Sequence, residues 1–160
     1  MSKSVYFAVA AVLIGFYFFQ TYTPMLSDAE LAANQQASNM FMSNNQQVEG
    51  VVVMPSGLQY QVLKEGAGKF HPTLTSKVTV HYDGSLVDGT VFDSSRQRGE
   101  PVTFKLERVI EGWKQGLPLM VEGDVMRFFV PSSLGYGGQW AGDIPPNSAL
   151  IFDIELLAIE

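Results

Sequence analysis

The stretch VIEGWKQGLP, residues 109–118, is where the chain beyond Gly57 departs from strand-like patterning, and its reading decides the fold. Trp113 and Leu117 stand four apart and Met120 extends the stripe, which is the spacing of a short helix with one apolar face that Pro118 brings to an end. Working outward, LQYQVL (58–63) and KVTVHY (77–82) alternate apolar and polar residues with period two, so each predicts a strand with one buried face. VMRFFV (125–130) predicts a buried strand stopped by Pro131, and ALIFDIELLAI (149–159) a long terminal strand. Asp83-Gly84 and Asp88-Gly89 carry turn signals. A lone short helix among about five antiparallel strands has to cover the sheet's apolar face. The expected fold is therefore α+β, a curled antiparallel half-barrel wrapped around one short helix.

Composition narrows the function classes. The chain has 160 residues and a formal net charge of −6, with its ten Lys and Arg scattered, so no surface is expected to track phosphates and nucleic acid is not an expected partner. There is no Cys, which excludes disulfides, thiolate zinc sites and thiol nucleophiles. His71 and His81 lack supporting Asp or Glu spacing, so no metal site is expected. His81 falls on the face of its strand opposite Tyr82, which gives it a structural or surface role. Asp93-Ser94-Ser95 lacks the Gly-x-Ser-x-Gly elbow of a serine nucleophile, and Gly135-Tyr136-Gly137-Gly138 lacks the Lys and Ser or Thr of a phosphate loop.

The chain opens differently. VYFAVAAVLIGFYFF (5–19) is an uncharged apolar run behind Lys3, the layout of a signal anchor or a cleavable signal peptide. A membrane span takes about 20 residues, so the run reaches it only with interfacial Gln20, Thr21 and Tyr22. Aromatic residues at both ends resemble interfacial belts, and no small-x-small cleavage site follows closely, which favours a retained membrane anchor over residues 5–22. Because the cation after Lys3 is Lys64, the rest of the chain is expected outside the cytoplasm, the periplasmic side in a Gram-negative cell; a soluble exported form after cleavage is the alternative. The expected divisions are 1–26 for the anchor or signal, 27–50 for a polar stalk rich in Asn and Gln, and 51–160 for the folded domain. Within the stalk, Ser27-Asp28-Ala29-Glu30 fits a capping box, and Ala33, Ala37, Met40 and Phe41 recur at helical spacing. The chain is expected to be a monomer, with this stalk the segment through which a second copy could pair.

Three stretches, VHYDGSLVDGTVFDSSRQRGEP (80–101), FKLERVIEGWKQGLPLMVEGD (104–124) and PSSLGYGG (131–138) followed by IPPNSALIFDIELL (144–157), resemble in order the FKBP-type peptidyl-prolyl cis-trans isomerases. The likeness runs from Gly57 to Glu160. The resemblance implies a curled sheet around one helix, a pocket for proline-containing polypeptides, binding of macrolide inhibitors such as rapamycin, and no cofactor. Carried over residue by residue, it implies catalytic roles for Tyr82, Asp93, Trp113 and Tyr136 and substrate contacts from Phe92, Phe104, Val109, Ile110, Ile144 and Phe152. Many members carry Phe where Val102 stands, and the cytosolic members carry His where Gln139-Trp140 stands and a loop one residue longer than Tyr136–Ile144, so the departures touch the rim rather than the floor. A proline-segment binder without activity, or a membrane-tethered chaperone, would use the same pocket differently.

Overall fold

The computed structural model describes residues 25–160. The expected anchor over residues 5–22 lies outside the described residues. Among the described residues, no helix is long and apolar enough to cross a membrane.

The first element, α1 (Asp28–Asn45), starts on the capping box: the Glu30 N–H donates to Ser27 Oγ at 3.3 Å and the Ser27 N–H to Glu30 Oε2 at 2.8 Å. Asn34, Ser38, Phe41 and Asn45 recur every three or four residues and so share one face. That face lies on the rest of the molecule. Phe41 meets the Phe129 ring at 6.0 Å, while Asn45 Nδ2 donates to Gln59 Oε1 and Gln59 Nε2 returns a bond to the Met42 carbonyl, both at 2.8 Å. Residues 27–50, a polar stalk by composition, thus include a helix docked through buried Ser38 and Asn45.

Seven antiparallel strands follow: β1 (Val52–Val53), β2 (Gln59–Lys64), β3 (Lys77–Leu86), β4 (Val91–Ser94), β5 (Val102–Lys105), β6 (Val125–Val130) and β7 (Leu150–Ile159). Their order is β1-β2-β6-β7-β3-β4. β5 pairs with the first half of β3, at Val78↔Phe104 and Val80↔Val102, and β4 with the second half, at Gly84↔Asp93. Seven strands stand where about five are expected, because β1 is too short to show a period and β4 and β5 have four residues each. Between them the chain leaves the sheet as a single turn, α2 (Ser95–Arg98), closed by Gly99 in the left-handed region at φ 78°.

Asp83-Gly84, expected as a turn, runs straight through β3, and the turn falls only at Asp88-Gly89. The reason is packing. A Cβ on Gly84 would sit 2.7 Å from Phe92 Cε2 and 2.9 Å from Phe152 Cε1, so the glycine is there to let two rings cross the strand.

Alternation along β3 buries Val78, Val80 and Tyr82, and along β7 it buries Leu150, Phe152, Ile154 and Leu156. These meet the helix α3 (Glu111–Gly116), which continues into a 3-10 turn at Leu117–Leu119. Gly112 and Gly116, four apart, face the sheet. A Cβ at either would lie 2.7 Å from Val130 Cγ1 or 2.6 Å from Phe128 Cε1, so the missing side chains set how close the helix lies and how deep Trp113 sits.

Candidate functional site

Trp113 lies in the core cluster between α3 and the sheet and is buried. Three rings surround it: Phe152 edge-on at 5.1 Å, Tyr82 edge-on at 5.2 Å and Phe104 tilted at 5.4 Å. Phe92 stands edge-on to Phe152 at 5.6 Å. Edge-to-face contact matches the positive edge of one ring to the negative face of another, which holds the set in one arrangement. The indole Nε1 of Trp113 is buried without a hydrogen-bond partner. Burying such a donor costs about 1–3 kcal/mol.

A charged group flanks the rings. The Tyr82 hydroxyl donates to Asp93 Oδ2, Arg98 Nη1 donates to Asp93 Oδ1, and Arg98 Nη2 lies 3.2 Å from the Tyr82 hydroxyl. The guanidinium also stands 5.8 Å from the centroid of the Tyr82 ring, in cation–π range. Burial first, and then the Asp93 bond, push the Tyr82 hydroxyl far above its ordinary pKa, so it is a neutral donor at physiological pH. Arg98, which is not among the residues expected from the motifs, joins two of them through these bonds. It reaches Asp93 only because Ser94 caps α2, accepting from the Gln97 N–H at 3.0 Å, and Gly99 ends it after one turn. An Asp five residues before an Arg, with a capping Ser and a closing Gly between and after, is the signal that was present.

Val109 and Ile110 lead into α3, whose first turn hangs on the Ile110 carbonyl through the Trp113 and Lys114 N–H groups at 3.0 and 3.1 Å. Tyr136 and Ile144 begin and end a loop that packs against the same core. Ile144 and Ala141 exchange backbone bonds at 3.0 and 3.1 Å, and the Gly137 N–H donates to the Ser132 carbonyl at 2.9 Å. Tyr136 is half-buried, and its hydroxyl is pushed up to about 12 by burial and by the negative charge of Asp93. The expected site residues therefore share one place in the fold. Tyr82, Phe104, Val109, Trp113, Ile144 and Phe152 lie within the core cluster, Phe92, Ile110 and Tyr136 pack against it, and Asp93 is bonded to Tyr82.

The neighbouring hydroxyls are occupied structurally. Ser95 Oγ accepts from the Tyr82 N–H at 2.7 Å and lies 3.0 Å from His81 Nδ1 on the outer face, and Ser94 Oγ donates to Asp83. Neither is poised as a nucleophile. Among the described residues, no three His, Asp or Glu side chains gather as metal ligands. Together these residues form a buried aromatic cluster beside one carboxylate that is bonded to both Tyr82 and Arg98.

The sequence matches two family descriptions, "FKBP-type peptidyl-prolyl cis-trans isomerase" over residues 68–157 and "Domain amino terminal to FKBP-type peptidyl-prolyl isomerase" over residues 15–62. It is 50% identical over 138 residues to the FKBP-type peptidyl-prolyl cis-trans isomerase FkpA of Aeromonas hydrophila, covering 86% of this chain and 51% of that protein. It is 40% identical over 171 residues to the macrophage infectivity potentiator of Trypanosoma cruzi, covering 100% of this chain and 87% of the other. The crystal structure of a peptidyl-prolyl cis-trans isomerase from Pseudomonas syringae superposes with a TM-score of 0.76 at 36% identity, covering 84% of this chain and 99% of that one. The chain spans about half the length of the first curated relatives it matches.

Proposed function

The chain belongs to the FKBP-type peptidyl-prolyl cis-trans isomerase family, and we propose on that footing that it accelerates rotation about X-Pro bonds in exported polypeptides, with Trp113 as the floor for the proline ring. The observation that carries the reading is the buried Trp113 walled by Tyr82, Phe104 and Phe152, with the Tyr82–Asp93–Arg98 group beside it.

Rotation must break amide resonance, a barrier of ~18–20 kcal/mol, so uncatalysed exchange takes tens to hundreds of seconds. The planar amide is the more polar form and water favours it, whereas the twisted form has a less polarised carbonyl and a more basic nitrogen. Transfer onto Trp113, with Phe92, Phe104 and Phe152 as walls, strips away water that held the ground state. The Ile110 amide and the Tyr136 hydroxyl then hold the flanking carbonyls, Val109 and Ile144 close the sides, and Asp93 faces the rotating amide. Arg98 and Tyr82 keep that carboxylate in place. Lowering the barrier by ~5.5 kcal/mol gives ~10⁴-fold acceleration, within reach of desolvation and positioning together.

No bond is made or broken, so neither cofactor nor metal enters this reading. Export through residues 5–22, whether they stay as an anchor or are removed, puts the pocket where secreted chains fold, and the protein acts there as a monomer. The test is the isomerisation of a chromogenic Leu-Pro-Phe peptide by the full chain, with and without rapamycin. Acceleration abolished by the macrolide supports the reading. A folded chain that leaves the rate unchanged sinks it, and favours a proline-segment binder.

A further inference from the structure

We propose that α1 is a brace for the pocket rim, and that Asn34 and Ser38 are positioning residues that set the placement of Tyr136 and Ile144. The inference rests on the isomerase reading for its kinetic part and on geometry for the rest.

Ile144 is followed at once by the turn Pro145–Ala149, and this turn is bonded to α1 at nearly every position. Asn34 Nδ2 donates to the Pro146 carbonyl at 2.5 Å and to Ser148 Oγ at 3.0 Å. Ser38 Oγ donates to the Asn147 carbonyl at 2.8 Å and accepts from the Ala149 N–H at 2.9 Å. Ser38 is 2% exposed and bridges the turn as a backbone neighbour would, donating to one peptide group and accepting from another. Ser148 Oγ in turn donates to the Pro145 carbonyl at 2.8 Å.

The turn passes the hold on. Asn147 has φ 63°, the left-handed region, and is the one non-glycine residue there among the described residues. Such a conformation persists where the surroundings hold it, and α1 supplies the hold on its carbonyl. The Asn147 N–H donates to the Gly137 carbonyl at 2.7 Å, next to Tyr136. A short bonded path therefore runs from Ser38 through Asn147 to Gly137, and Ile144 lies three residues before Asn147. Both ends of the rim loop are tied to a turn that the helix grips. A groove of about 250 Å³ between α1 and Pro131–Ser133 runs beside these bonds, with Ser38 and Ala149 in its lining.

The full chain is compared with Asn34→Ala, Ser38→Ala and Phe41→Ala, the last loosening the same helix at Phe129 while sparing the turn. Alanine favours helix, so a defect in Asn34→Ala does not come from unwinding α1. Two quantities are read: kcat/KM on Leu-Pro and Glu-Pro peptides, and amide hydrogen exchange at Ile144 and Asn147. Asn34→Ala and Ser38→Ala are expected to lower kcat/KM about 3- to 10-fold, to change the Leu-Pro to Glu-Pro ratio, and to speed both amides. Phe41→Ala is expected to leave the ratio and these amides as they are. A smaller folded fraction scales all peptides alike, so the ratio separates positioning from mere stability. Unchanged ratio and exchange in Asn34→Ala and Ser38→Ala, or equal changes in Phe41→Ala, overturn the brace. Should the wild type show no isomerisation, the isomerase reading fails by itself and exchange at Ile144 and Asn147 still decides the brace.

Discussion

Tyr82 and Asp93 are joined hydroxyl to carboxylate inside the sheet, although they stand on different strands and Asp93 is 7% exposed. The carboxylate tolerates that burial because Arg98 supplies the opposite charge from a side chain that is 20% exposed. Removing one partner of such a pair leaves an uncompensated charge.

Arg98→Ala is accordingly expected to destabilise the fold by about 2–3 kcal/mol, read as a lower urea midpoint at unchanged m-value. Adding Asp93→Asn should recover most of the loss, since the group left behind is then neutral. A double variant no more stable than Arg98→Ala would count against the pairing.

Alkaline pH should expose two phenols, the buried Tyr82 and the half-buried Tyr136. Tyr82 lies far above its usual range and Tyr136 at about 12, against an unfolded value near ~10. A raised folded pKa means the native state holds its proton more tightly, so ∂ΔG/∂pH is negative in the window. Their contribution is fully present below pH ~10 and is lost as pH rises toward and beyond ~12. Tyrosinate absorbance should show these two ionising together with loss of the native spectrum, and Tyr136→Phe should flatten the decline.

The close seating of α3 gives a sharper packing test. Alanine is the better helix former by about 1 kcal/mol, yet a Cβ at Gly116 would meet the Phe128 ring at 2.6 Å. Overpacking costs about 1–3 kcal/mol, so Gly116→Ala should lower the thermal midpoint and also kcat/KM, because lifting α3 lifts Trp113. A stabilised Gly116→Ala would mean that the ring gives way freely.

Much of this was legible in the sequence, for identifiable reasons. The terminal strand, read over residues 149–159 and observed at Leu150–Ile159, and the strand at Lys77 carry period-two burial that only a sheet satisfies, while the strand at Val125 showed as an apolar run stopped by Pro131. The helix at residues 111–116 showed through Trp113 and Leu117. Asp83-Gly84 misled because the same dipeptide serves a turn and a ring crossing, and only Phe92 and Phe152, brought by other strands, tell them apart. Arg98 was hidden in a single turn with no period of its own. The seating of α1 was hidden too, since Asn34, Ser38 and Asn45 are polar residues whose value lies in distant partners at Pro146, Asn147 and Gln59.

The most direct test of the central claim is kcat/KM for isomerisation of a Leu-Pro peptide by the full chain beside Trp113→Leu, both shown folded by circular dichroism. Strong acceleration by the wild type is expected, with a loss of at least about ten-fold in Trp113→Leu, one factor of ten being ~1.4 kcal/mol of transition-state stabilisation. Equal rates from the two proteins, or no acceleration from a folded wild type, would contradict it.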